Sequence, residues 1–163
     1  MLARLPIGPG DGMLLIETEV LEGLHCYRQT NPHSTESAGV LLGYRRGDHI
    51  HIVQATPPGA DDVKNRFSFM RRDKSHQQIA TREWRRSGRI KDYVGEWHTH
   101  PEAAPAPSMV DVLEWRSLCS RSKRPLIFVI LGTARNWYGI GLGTELRPLV
   151  DLDEMKYELS CNS

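Results

Sequence analysis

The stretch G-E-W-H-T-H-P-E-A-A-P-A-P-S-M-V-D, Gly95 to Asp111, holds two histidines one residue apart, then a serine and an aspartate. Residues Ile90 to Trp97 are β-compatible, so the spacing predicts a strand whose end presents His98 and His100 on one face, because side chains alternate along a strand. Pro101, Pro105 and Pro107 then stiffen the backbone until Ser108, a good N-cap, opens an apolar run with helical spacing. Asp111 falls in the first turn of that helix and leans back toward the loop. Two imidazoles and one carboxylate make a three-ligand set for zinc with the fourth tetrahedral position left to water, the pattern of a catalytic site. Each part alone has a plainer reading. Ser-x-x-Asp is also a capping arrangement, and a second H-x-H pair, His49 and His51, has no carboxylate-bearing helix start after it. The conjunction is what points to zinc.

Hydrolysis at zinc needs a base to take a proton from water and pass it to the leaving amine. Glu36, in E-S-A-G-V-L-L-G, stands just before the apolar run Val40 to Leu42, where a strand begins and loops gather at a sheet edge. A solvated loop glutamate is the alternative at that position.

Taken together, E-x-x-G-x-L-x-G, then H-T-H-P, a seven-residue gap and S-x-x-D resemble the motif of the JAB/MPN metalloproteases, also called JAMM proteases, with every motif position filled. The resemblance spans roughly Leu14 to Gly143. It implies that His98, His100 and Asp111 bind zinc, that Glu36 is the general acid/base and that Ser108 helps hold the tetrahedral intermediate. It also implies a mixed β-sheet flanked by helices, related to the cytidine deaminase fold. The G-E-W-H-T-H-P form and the short length are similar to the bacterial members associated with CD-NTases in anti-phage operons. That likeness implies a protein substrate with an extended C-terminal tail, CD-NTase or ubiquitin-like, and an adenylating or conjugating enzyme encoded nearby. The same family pattern leaves two other outcomes open: processing of a small sulfur-carrier protein, and a non-catalytic scaffold that only binds partners. Deamination is set aside. His100-Pro101-Glu102 satisfies the H-x-E half of the zinc deaminase signature, but the P-C-x-x-C half is missing.

A chain of 163 residues suits one domain, expected over 1–163 with a core of about 14–143 and an extension over 144–163. A net charge of +1 carries no global basic bias toward nucleic acid. No apolar run approaches a membrane span, and Met1 to Gly12 lacks the apolar core of a signal peptide, so a cytoplasmic protein is expected. The cysteines, Cys26, Cys119 and Cys161, are scattered and form no disulfide framework; Cys119 reads as a packing residue and Cys161 as a tail thiol.

Along the chain, Met13 to Ile16 reads as a strand, and Thr18 as the cap of a helix with Val20, Leu21 and Leu24 on one face. Gly39 to Tyr44 and His49 to Ala55 form a hairpin, with Ile50 and Ile52 opposite His49 and His51. Phe67 to Met70 is a short strand, and Asp73 begins a helix that Gly88 ends; its many arginines and lysines are interleaved with Asp73, Glu83 and Asp92 and read as a solvated face. Leu126 to Leu131 is a central strand, and Thr133 to Asn136 turns into another at Trp137 to Leu142. Pro148 to Leu159 is weakly patterned, an appended strand or short helix before a disordered Asn162-Ser163 tail. The mixed order of helices and strands favours an α/β class with a central mixed sheet.

Overall fold

A computed structural model describes residues 1–7 and 12–152. Ten strands and three helices follow one another as β1 (Leu2–Leu5), β2 (Gly12–Ile16), α1 (Thr18–His25), β3 (Ala38–Arg46), β4 (His49–Ala55), β5 (Val63–Lys64), β6 (Phe69–Met70), α2 (Ser75–Arg86), β7 (Lys91–Thr99), α3 (Met109–Arg121), β8 (Leu126–Leu131), β9 (Asn136–Leu142) and β10 (Glu145–Pro148). Eight strands form one sheet in the order β1-β2-β4-β3-β7-β8-β9-β10, and β5 pairs with β6 as a separate hairpin. The sheet is mixed: β2 runs parallel to β4 and β7 parallel to β8, and its other pairs are antiparallel.

The strand β8 explains how the layers are built. All six of its residues are buried, which is why L-I-F-V-I-L is apolar without alternation. Ile127, Val129 and Leu131 join the core that includes Val20 and Leu24 of α1, and Leu126, Phe128 and Ile130 join a second core with Trp115 and Cys119 of α3. Helix α1 therefore packs on one face and α3 on the other, while α2 packs against β7 and β3. Trp97 of β7 enters the α1-side core, so the next residue, His98, turns toward α3, where its ring lies 5.4 Å from that of Trp115.

The helix expected from Ser108 begins as the sequence indicates, with Ser108 as N-cap. Thr18 does not cap α1. It is the first helical residue, and Glu17 holds the cap position with its side chain committed to His51 Nε2 at 2.5 Å. The start of α2 is similarly displaced: Lys74 is the N-cap, and Asp73, one residue earlier, accepts the Ser75 amide at 2.7 Å. In β4, Ile50 and Ile52 are buried, while His49 and His51 face outward as expected. Strand β1 was not anticipated. The readings for 153–163, including Cys161 and the tail, lie outside the described residues.

Candidate metal centre

The register of β3 on β7 brings Glu36 and the histidines together. Ala38 at the head of β3 pairs with His98 near the end of β7, and the ladder continues as Thr99 N–H donates to Ser37 O at 2.9 Å and Ser37 N–H to Thr99 Oγ1 at 3.0 Å. Glu36, one residue further back, is thereby carried to the histidine end of β7. It is 6% exposed, and His98 also 6%. The site lies beyond the carboxyl ends of the parallel strands β7 and β8, where open α/β sheets leave a crevice.

The loop 101–107 returns the chain to this crevice because it is fastened to the β8–β9 turn. The amides of Thr133 and Arg135 donate to the carbonyls of Glu102 and Ala103, both at 2.8 Å. The approach is close enough to require glycine at 132, where a Cβ would stand 2.4 Å from Pro105 Cδ and 2.6 Å from Glu102 O. Ser108 then begins α3 with a complete capping box: Asp111 N–H donates to Ser108 Oγ at 3.2 Å, and Ser108 N–H to Asp111 Oδ2 at 2.6 Å. The capping and metal readings of Ser-x-x-Asp are thus not rivals. The box fixes the Asp111 carboxylate, and its two oxygens face the imidazoles.

His98 Nε2 and His100 Nε2 are 3.0 Å apart, and each lies 3.4 Å from an Asp111 oxygen. Neighbouring donors in a tetrahedral zinc shell with bonds of 2.0–2.1 Å are about 3.3 Å apart, so these three groups have the spacing of such a shell's edges. Glu36, His98 and His100 also offer donor atoms that all lie within 4.8 Å of one another. On distance alone Glu36 would complete a trio with the histidines; Asp111 reaches both imidazoles more closely and is held by the cap. The donor set fits a divalent metal. His100 Nδ1 lies 3.4 Å from Glu102 Oε2, the kind of carboxylate contact that orients a metal-binding imidazole.

The electrostatics follow from burial and crowding. Burial pushes the Glu36 carboxyl up to about 7, with His100 opposing and the carboxylates of Asp111, Glu102 and Glu114 adding to it. Burial also depresses His98 to about 4, against the pull of Asp111, so its ring is neutral and able to ligate. For Asp111, burial alone would raise the pKa, but the hydrogen bond with His100, the nearby His98 ring and the bonds with Ser108 hold it well below the ordinary range.

Two hollows of about 470 Å³ and 440 Å³ share Glu36, Phe69, Asp111 and Glu114 in their walls; the first adds His98, Arg71 and Glu96, the second His100, Ser108 and Phe67. Exposed apolar side chains line them on both sides: Val63, Phe67 and Met70 from the β5–β6 hairpin, Val110 and Leu113 from α3. Four of the five candidates, Glu36, His98, His100 and Asp111, converge, and Ser108 stands exposed at the helix start beside them. Two further residues stand at the site. Glu102, met in the sequence only as half of a deaminase signature, brings Oε2 to 3.4 Å from His100 Nδ1, and Arg71 bridges to Glu96 at 2.5 Å.

The family model for prokaryotic homologues of the JAB domain matches residues 20–140. The chain belongs to the prokaryotic JAB family. As a JAB-family member it is a metallopeptidase. Two similar relatives carry the name CD-NTase/cGAS isopeptidase. The Escherichia coli (strain TW11681) protein is 39% identical over 85% of this chain and 88% of its own. That of Vibrio cholerae is 37% identical over 79% and 82%. A solution structure of a Desulfitobacterium hafniense protein superposes with a TM-score of 0.60 at 22% identity, covering 83% of this chain and 89% of that one. It is similar in fold. No helix among the described residues is long and apolar enough to cross a membrane.

Proposed function

We propose that this JAB-family chain is a zinc-dependent isopeptidase that hydrolyses the amide bond after the C-terminal tail of a CD-NTase or ubiquitin-like protein. In this reading it reverses a conjugation carried out by an adenylating and conjugating enzyme encoded nearby, as part of a cytoplasmic anti-phage defence. The observation that carries the proposal is the approach of His98, His100, Asp111 and Glu36 to one point at the wall of an open cleft. The names of the Escherichia coli and Vibrio cholerae relatives support the substrate class.

His98, His100 and Asp111 would hold the metal. When bound, zinc polarises a carbonyl and lowers the pKa of water toward neutrality. Glu36 takes the proton from the attacking water and returns it to the leaving amine, a task suited to a carboxyl whose pKa lies near the working pH. Ser108 Oγ already accepts the Asp111 amide, which leaves its O–H free to donate to the oxygen that gains charge at the attacked carbonyl. The exposed apolar rim excludes water around an extended tail lying in the cleft.

The test offers the zinc-loaded protein three substrates joined through their tails to an acceptor lysine or a reporter: a CD-NTase, a ubiquitin-like protein and a sulfur carrier. Cleavage after the CD-NTase or ubiquitin-like tail is the expected result, lost in Glu36→Ala with metal content unchanged by elemental analysis. Cutting of the sulfur carrier alone moves the substrate assignment, and a wild-type-like rate in Glu36→Ala removes Glu36 from the mechanism.

A further inference from the structure

Three buried polar side chains outside the metal centre form one chain of hydrogen bonds that the hydrolysis does not use. Thr56 is 0% exposed, His76 3% and Asp62 7%. Asp62 Oδ2 can only accept, so His76 Nε2 carries the ring hydrogen and donates to it at 2.9 Å. Nδ1 is then left to accept the hydroxyl of Thr56 at 2.6 Å, while Thr56 Oγ1 accepts Val40 N–H at 3.0 Å. The same Oδ2 accepts Gly59 N–H at 2.6 Å, while Oδ1 accepts the amides of Arg72 and Asp73, both at 2.9 Å. One carboxylate therefore ties both ends of the excursion 59–73, and His76 and Thr56 tie that carboxylate to the sheet.

What the excursion carries gives the fastening its meaning. Phe69 and Arg71 wall the cleft. Between β5 and β6, the carbonyl of Asn65 accepts the Glu36 amide at 2.7 Å. The backbone of Glu36 is thus hydrogen-bonded to the excursion, whereas its neighbour Ser37 is bonded to β7 through Thr99. An apolar filling of the Thr56–His76–Asp62 space would leave the amides of Gly59, Arg72 and Asp73 without their acceptor, and the hydrogen bonds that replace it fix separation and orientation.

We infer that Asp62, His76 and Thr56 are positioning residues that seat the 59–73 excursion over the cleft and, through the Asn65 carbonyl, set Glu36 against the paired histidines. The inference rests on Glu36 acting as the base in the function proposed above. Displacing a reacting group by about an ångström costs roughly a hundredfold in rate. A loosened fastening therefore lowers kcat more than it raises KM, because the groups proposed to bind the metal stand on β7 and α3.

The experiment compares His76→Ala, His76→Gln and Asp62→Asn in the full zinc-loaded chain. The amide of Gln keeps one donor and one acceptor on a short fork, so it can serve both Thr56 and Asp62. Expected are a kcat lowered at least tenfold in His76→Ala and Asp62→Asn at unchanged metal content, KM within a few-fold, and most of the rate regained in His76→Gln. Hydrogen exchange at the Glu36 amide and tryptic cutting after Lys64, Arg66 or Arg71 should quicken in the same two variants. Thr56→Val, which removes only the hydroxyl, serves if His76→Ala does not fold. Wild-type kcat in variants whose Glu36 amide exchanges faster overturns the inference, as does a Gln variant no better than Ala. Should the wild type cut none of the three tails, the function reading fails, and slow Glu36 exchange in His76→Ala would still overturn the coupling by itself.

Discussion

Glu36 shows at the scale of one residue how a reactive group costs stability. A carboxyl whose folded pKa is raised from 4.5 to about 7 penalises the folded state above pH 7, where it must ionise while buried, and has no effect below 4.5, where it is protonated both folded and unfolded. In the metal-free protein, Glu36→Gln should therefore stabilise by about 2 kcal/mol at pH 8, a linkage value reduced for partial solvent screening, with the gain gone by pH 4.5; denaturant melts at the two pH values measure it. Asp111 behaves oppositely, since it holds the helix start and is proposed to bind the metal as well. Asp111→Ala should lose metal and activity together. Without metal it should still cost about 1 kcal/mol, the usual worth of a cap, read from melts in chelator. The five motif residues were legible in the sequence because their chemistry is tied to fixed spacing around H-x-H and S-x-x-D. Arg71 and the Thr56–His76–Asp62 chain were not, because each has its meaning from a partner supplied by another part of the chain, and Glu102, two residues from His100, showed only as half of a deaminase signature.

Among the elements, legibility followed the number of buried faces. Strand β8, covered on both, announced itself as an unbroken apolar run, and α3 was marked at its start by Ser108. Among the described residues strand β1 pairs with β2 alone, at the sheet edge, and its L-A-R-L is too short and too mixed to stand out. The two-residue strands β5 and β6 leave no period to read; they sit in the excursion that Asp62 closes at both ends. Loop 101–107 is the element on which the geometry of α3 depends. Gly132→Ala would drive a methyl into Pro105 and the Glu102 carbonyl, shift the loop and move Asp111 with the helix start. A loss of at least 1 kcal/mol, in the range for overpacking, with weaker metal binding by competition against a chelator, is the expected pair of effects. Unaltered metal affinity in a destabilised variant would show that the loop only supports the fold.

For the molecule as a whole, the paired histidines make metal-free stability depend on acid. His98, held near 4 when folded and 6.5 when free, favours folding above pH 6.5 and loses that contribution as pH falls toward 4, because the unfolded chain takes the proton first. His100, raised by its bond to Asp111 against its own burial, works the other way, since its charged form is favoured in the fold below pH 6.5. Asp111, depressed, adds stability above 3.8 that disappears in stronger acid. Glu36 opposes His98 as well, since its penalty fades over the same range, so thermal melts in chelator should stay nearly level between pH 6.5 and 4 and fall below. In His98→Asn stability should instead rise as pH falls across that window. The strand that joins both cores has a further consequence away from the native state. Freed from the sheet, L-I-F-V-I-L is an uncharged hexapeptide with a strong tendency to stack with copies of itself as a dry zipper. The chain places Lys123, Arg124 and Pro125 directly before it, where charge and a missing amide act as gatekeepers. Heating past the midpoint should end in precipitate, and Arg124→Ser should hasten the rise in light scattering while leaving the folded protein's melting point nearly where it was.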